Sequence, residues 1–230
     1  MQVVFEDNHL IAVNKPAGIL VHADETGDRT LEDMVKDYIK IRYGKPGDVY
    51  LATLHRIDRP TSGVVIFGRT SKAAERMTKL FQTHAIQKSY LAITMQRPEP
   101  LAGKLTHYLI KNPETNTVRA FNKIKNGAKE AILNYEFVGQ VDRAHVLLKV
   151  DIVTGRSHQI RAQLAKIGCI IEGDLKYGAE HPNADRSISL HCRSMSFIHP
   201  VQKTPVIIKA QVPQNPIWRE FEPLIEQEGL

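Results

Sequence analysis

Apolar positions along this chain fall into short runs and short repeats, never into one long stretch. Val3 to Phe5 and Leu10 to Val13 are brief apolar runs parted by Asp7-Asn8, the pattern of two strands and a turn. From Thr30 the spacing changes. Leu31, Met34, Val35, Tyr38 and Ile39 recur at three and four residues, predicting an amphipathic helix that Thr30 and Asp33 open and Gly44 stops. Val49 to Leu54 and Val64 to Phe67 are short and β-branched or aromatic enough to be buried strands. Thr70-Ser71 caps a second helix, with Ala73, Ala74, Met77, Leu80 and Phe81 on its inner side. Lys88 to Met95 is a strand. Alternation puts Tyr90 on one face with Ala92 and Thr94, a face that need not be fully buried.

The second half alternates more cleanly. Ala131/Leu133/Tyr135/Phe137 and Val146/Leu148/Val150/Ile152 each keep a period of two. Polar turns at Asn112–Asn116, Asn126-Gly127 and Gln140–Arg143 divide Lys104 to Val153 into an antiparallel sheet. Ser157 can cap a helix striped by Ile160, Leu164 and Ile167, with Gly168 ending it. Ser187–His191, Met195–Ile198 and Val206–Val212 add strands. Asn215-Pro216 opens a last helix carrying Ile217, Trp218, Phe221, Leu224 and Ile225, interrupted by Pro223. No repeat, low-complexity tract or linker divides the pattern. The expectation is one α+β domain over residues 1–230, a mixed, mainly antiparallel β-sheet with flanking helices.

Composition narrows the function. A hydrophobic share of 42% supports a sizeable core, and a formal net charge of +6 favours a polyanionic partner. Cys169 and Cys192 lie far apart and form no CxxC pair, which argues against a disulfide framework or a zinc site. No signal segment and no apolar run of bilayer length is present, so a soluble, cytoplasmic protein without a membrane partner is expected. The absence of heptads leaves a monomer as the default.

Three stretches concentrate chemistry. The first, Leu54 to Gly63, places Asp58 between Arg56 and Arg59 on a turn that Pro60 and Gly63 impose. Asp is common in turns for structural reasons alone. The second, Asn14 to His22, is a rigid loop with Lys15 at its start, which reads most simply as a solvated lysine at a strand exit. The third, Thr154 to Leu164, gathers Arg156, His158 and Arg161 where a strand meets a helix. The helix dipole opposes cations there, so a fixed carboxylate or phosphate partner is expected. Basic trios add to these. Lys72, Arg76 and Lys79 share a helix face that serves equally as a solvated surface or a phosphate track. Lys123, Lys125 and Lys129 surround the Asn-Gly turn, reaching a polyanion or keeping an edge soluble. If Asp58 meets Arg161, the opposite charge holds the carboxylate ionised, as a nucleophile at a sugar anomeric carbon requires. No second acid is evidently paired with Asp58, and no GxxxxGK[ST] loop occurs.

His55-Arg56-Ile57-Asp58-Arg59-Pro60-Thr61-Ser62-Gly63 closely resembles the HRLDxxTSG segment of RluA-type RNA pseudouridine synthases. Asn14 to His22 is similar to their NKPxGxxVH segment, Thr154 to Arg161 to TGRxHQIR, and Gly173 to Gly178 to GDxxYG. Leu190-His191 and Phe197 to Pro200 resemble the closing elements. The order is kept over nearly the whole chain. Departures are Ile57 for Leu, Gln163 where His is frequent, and Cys192 for Ala. Many relatives carry an N-terminal S4 RNA-binding module, which is not expected here because the first motif begins at Asn14.

The resemblance implies isomerisation of uridine to pseudouridine in structured RNA, rRNA or tRNA, without metal or other cofactor. Asp58 would be the catalytic carboxylate, Tyr90 would stack on the target base, and Arg161 would pair with the acid. Arg56 would fill the space left by the flipped nucleotide. Lys15, Arg156, His158, Lys72, Arg76 and Lys79 are the further RNA-contact candidates. Two other readings stay open: a binding-only ribosome-assembly factor, and a nucleosidase-like hydrolase that releases free base.

Overall fold

The computed structural model describes residues 1–141 and 144–230. Among them are eleven strands and four α-helices, and they fall into two compact units, each discontinuous in sequence. The first comprises residues 1–86 and 194–211, the second residues 87–193 and 212–230.

In the first unit, β1 (Gln2–Glu6) and β2 (Leu10–Lys15) form a hairpin. Its turn is held by the Asp7 carboxylate, which accepts from the amides of His9 and Leu10, both at 2.7 Å. β2 pairs antiparallel with β4 (Ser62–Gly68), and every residue of β4 is buried, as expected of a continuous apolar strand. β3 (Ala52–Thr53) is only two residues long and pairs with the end of β4. The expected strand Val49–Leu54 thus shrinks to its centre. Val49 and Leu51 bury their side chains, but their backbones join no ladder.

α1 (Leu31–Arg42) starts at the expected capping box, with reciprocal Thr30 and Asp33 hydrogen bonds, and buries Leu31, Val35 and Ile39. α2 (Ser71–Gln82) is capped by Thr70, whose hydroxyl accepts from the Ala73 amide. α2 comes in close against β4 at Gly68, where a Cβ would lie 3.0 Å from that of Ala74. Of the expected basic face, Lys72 and Lys79 are exposed, while Arg76 donates to the Pro200 carbonyl at 3.1 Å.

The second unit is built on β5 (Gln87–Thr94), β6 (Ala102–Asn112), β7 (Thr117–Phe121), β8 (Lys129–Gln140) and β9 (Val146–Ile152). They pair antiparallel in the order β5-β9-β8-β6-β7. Asp142 and Arg143 of the expected Gln140–Arg143 turn lie outside the described residues. One face of the ladder carries Tyr90, Ala92, Leu133, Tyr135, Leu148 and Val150, all buried. α3 (Gln159–Lys166) covers the part of that face formed by Leu109, Val118 and Ala131. The other face, through Leu91, Ile93 and Leu147, packs on Trp218, Phe221 and Ile225 of α4 (Pro216–Gln227). Pro223 does not interrupt α4 as expected. It removes one backbone donor, while the buried residues on either side hold both halves to the sheet. β10 (Leu190–Ile198) starts later than the expected Ser187, and β11 (Pro205–Lys209) ends earlier than Val212 and pairs with β10.

Two substitutions test which contacts carry the fold. Thr30→Ala removes the α1 cap and should cost about 1 kcal/mol. Phe221→Ala empties a wholly buried site beneath α4 and should cost about 3–5 kcal/mol. Urea titration of each variant gives both values.

Candidate active site

In the first unit, the two loops singled out by sequence are joined through one residue. Lys15 ends β2 opposite Gly63, the second residue of β4, which takes a left-handed conformation at φ 117°. Its side chain is wholly buried. The ammonium donates to the carbonyls of Pro16 (3.1 Å), Ile19 (2.7 Å) and Arg59 (3.1 Å). The expectation of a solvated, RNA-contacting Lys15 is therefore corrected. Its three hydrogens point at carbonyls of its own loop and of the Asp58 loop. Burial pushes its pKa down to about 7, with Asp58 pulling it up and Arg59 adding to the fall.

The same loops meet twice more. The Gly18 amide donates to the Arg59 carbonyl at 2.8 Å, and Arg59 Nε returns a bond to the Gly18 carbonyl at 2.9 Å. Arg59 also pairs with Asp28 at 2.8 Å. Asp58 is half-buried, and its carbonyl accepts from the Thr61 amide at 3.0 Å, which closes the turn around Pro60. Arg56 is exposed beside it. His55 Nε2 accepts from the Ile66 amide at 3.0 Å, so its proton sits on Nδ1, and the ring stacks on Phe81. This histidine anchors the loop to β4.

In the second unit, Tyr90 stands opposite Val150 on β5 and is only 7% exposed, so its face is more closed than alternation suggested. Arg161 is buried on α3. Its fork binds Asp174 through Nε to Oδ2 at 2.7 Å and Nη2 to Oδ1 at 2.8 Å, and its guanidinium lies 4.9 Å from the Tyr177 ring centroid. The carboxylate expected of a cation against the helix dipole is thus present within this unit. Gly173-Asp174 lies in a motif of its own, and no local spacing couples it to Arg161, since thirteen residues and a change of element separate Asp174 from the arginine. Gly173 adopts φ 79°, and a Cβ there would come within 2.7 Å of the Ser187 carbonyl, so only glycine lets Asp174 take this place.

The approach to α3 differs from expectation. Ser157 does not cap it. The N-cap is His158, left-handed at φ 50° and without a side-chain cap. Gln159 holds the corner instead: its Oε1 accepts from the Arg156 amide (3.0 Å) and the Thr154 hydroxyl (2.7 Å), and its Nε2 donates to the Ile132 carbonyl (3.0 Å). His158 Nδ1 lies 2.8 Å from the Tyr177 hydroxyl, and Arg156, exposed, donates to the Glu130 carbonyl at 3.1 Å. Lys88, not singled out by sequence, shares the Tyr90 face of β5 by alternation. Its ammonium would lie 3.3 Å from a Cβ at Gly155, and burial lowers its pKa while Cys192 opposes the fall. Gln163, one of the departures from the resembled motif, is buried and donates towards Ala131 O and His107 Nδ1, leaving the departure inside the sheet packing.

Comparison with known proteins first defines the fold. The chain resembles Human RNA Pseudouridylate Synthase Domain Containing 4, with a TM-score of 0.78 and 21% identity, over 98% of this chain and 93% of that one. Human RNA Pseudouridylate Synthase Domain Containing 1 gives 0.75 and 20%, over 94% and 85%. Sequence then defines the family. Residues 9–166 match the model described as RNA pseudouridylate synthase. The tRNA pseudouridine synthase C of Haemophilus influenzae is 30% identical over 96% of both chains. The Ribosomal large subunit pseudouridine synthase D of Zymomonas mobilis is 32% identical over 94% of this chain and 70% of that one. The chain belongs to the RNA pseudouridylate synthase family and is an isomerase that converts uridine to pseudouridine in RNA. No helix among the described residues is long and apolar enough to cross a membrane.

Asp174→Ala leaves a buried guanidinium without this carboxylate and should cost about 3–5 kcal/mol in urea unfolding. Lys15 gives a pH signature. Above pH 7, and up to the ordinary lysine value, the unfolded chain keeps a proton that folded Lys15 has released, so raising the pH favours the folded form. The stability of the wild type relative to Lys15→Met should be flat below about pH 7. It should then rise with pH, by at most about 1.4 kcal/mol per unit. Paired urea titrations from about pH 6 to about pH 9 measure the slope.

Proposed function

We propose that this chain isomerises uridine in the stem-loops of tRNA, with Asp58 as the carboxylate acting at the ribose and Arg161 as its counter-ion. The observation that carries the reading is the family match over residues 9–166. That span includes Asp58, Tyr90 and Arg161, the residues that the motif resemblance singles out. The choice of tRNA is supported by the Haemophilus relative, matched over 96% of both chains and named for tRNA. An rRNA target is the second reading, favoured by the Zymomonas relative.

In this scheme the target nucleotide leaves the stack, at a cost of a few kcal/mol, and the exposed Arg56 takes its place. Tyr90 forms a wall against the base. Asp58 acts at the ribose as the N1–C1′ bond breaks. The base turns, C5 bonds to C1′, the C5 hydrogen departs as a proton, and N1 takes one up. Atoms and electrons balance, so the reaction is a net isomerisation. The Lys15 and Arg59 bonds support the assignment of Asp58, because they hold its loop to a second loop and limit its motion. The two hydrogen bonds to Asp174 support that of Arg161, since they fix the guanidinium against rotation.

RNA carrying tritium at uridine C5 provides the test. The wild type should release tritium without added cofactor. Asp58→Asn should slow release by on the order of 10³-fold or more, while RNA binding is kept. Tritium release by Asp58→Asn at the wild-type rate would remove Asp58 from the chemistry. Free uracil in place of pseudouridine would point to hydrolysis.

A further inference from the structure

The cations of this chain are unevenly placed. Residues 104–129 contain Lys104, Lys111, Arg119, Lys123, Lys125 and Lys129 against one acid, Glu114, so a net +5 of the chain's +6 arises there. All six are exposed. Among the described residues, neither these nor the nearby Lys176 takes part in an ion pair.

Strand register shows how they are arranged. β7 lies on one side of β6 and β8 on the other, and residues 122–128 carry the chain across. Leu109, Val118 and Ala131 face α3. Lys111 and Lys129 therefore lie on that side by alternation and pairing, Lys129 standing directly opposite Leu109. Lys176 joins them there, donating to the Asn116 carbonyl at the β6–β7 turn. Arg119 and Phe121 point to the reverse side, where Phe121 stands opposite Tyr108. Lys125 lies 4.2 Å from the centroid of the Phe121 ring, and Arg119 lies 5.9 Å from it. Two like charges thus converge on one ring. Glu130, also on the reverse side, is exposed on β8, about 10 Å from Phe121 across two strand spacings. Gathering unpaired cations is unfavourable unless an anion joins them.

We propose that the β6–β7 ribbon, the 122–128 crossover and the first residue of β8 form a second RNA-contact element, which engages the phosphates of a base-paired stem along both faces of the ribbon. Cations on both sides of a narrow ribbon suit two phosphate rows, which a duplex presents and a single strand does not. Contacts of this kind position an RNA without reading its sequence. The proposal rests on the RNA-substrate reading above, but not on Asp58.

Binding to a stem-loop RNA and to a single strand of equal length, over a series of salt concentrations, tests it. Lys123→Gln/Lys125→Gln removes the reverse-side pair and Lys111→Gln/Lys129→Gln the other. Lys40→Gln/Lys45→Gln removes the same charge from exposed positions on and after α1. Each ribbon double variant should bind the stem-loop several-fold more weakly, with a salt slope shallower by about one per lysine in contact. The single strand and the α1 control should change little. Equal losses on both RNAs, or an equal loss in the control, would reduce the ribbon to diffuse attraction and overturn the proposal. So would unchanged stem-loop binding. Because the readout is binding, an inactive protein with normal ribbon behaviour would fault the Asp58 assignment alone.

Discussion

An ammonium taken out of water needs acceptors for its hydrogens, and Lys15 finds three carbonyls, two on its own loop and one on the loop of Asp58. Much of the first unit's loop geometry follows from that requirement. The Lys15 loop cannot leave the Asp58 loop without stranding the ammonium, and the Gly18–Arg59 bonds run between the same two segments. A loop between strands is ordinarily mobile. This one is held by the hydrogen bonds of a buried lysine.

The second unit solves a similar problem with a guanidinium. Arg161 is buried near the start of α3, where the helix dipole disfavours it, and the Asp174 carboxylate compensates through two parallel hydrogen bonds. Tyr177 extends the arrangement. Its ring lies beneath Arg161, and its hydroxyl reaches His158 and accepts from the Val118 amide. The motif that supplies Arg161 and the motif that supplies Asp174 and Tyr177 are thus one structural feature. A change in either alters the other.

The proposed RNA contacts draw on a different property, the distribution of charge. Residues 104–129 account for most of the chain's positive balance, while Arg59 and Arg69 are bound to acids and Arg76 to a carbonyl. Cations engaged in the fold bind loops and strands together. Unpaired cations on a ribbon remain available for phosphate, and their attraction weakens with salt.

Local spacing along the chain was enough to place α1 with its Thr30 cap, the antiparallel ladder of the second unit, α4 from Asn215, and the family through ordered motifs. These features depend on near neighbours, whose periodicity and capping chemistry are written in consecutive residues. Tertiary structure alone decided that Lys15 is buried, that Asp174 takes the Arg161 fork, that Gln159 rather than Ser157 holds the start of α3, and that Pro223 is tolerated. Each of these is set by atoms brought in from distant segments: the Arg59 carbonyl, a residue beyond the end of α3, the Ile132 carbonyl, and the apolar cluster under α4. Burial and ion pairing are properties of what packs against a residue, and no window of sequence contains that.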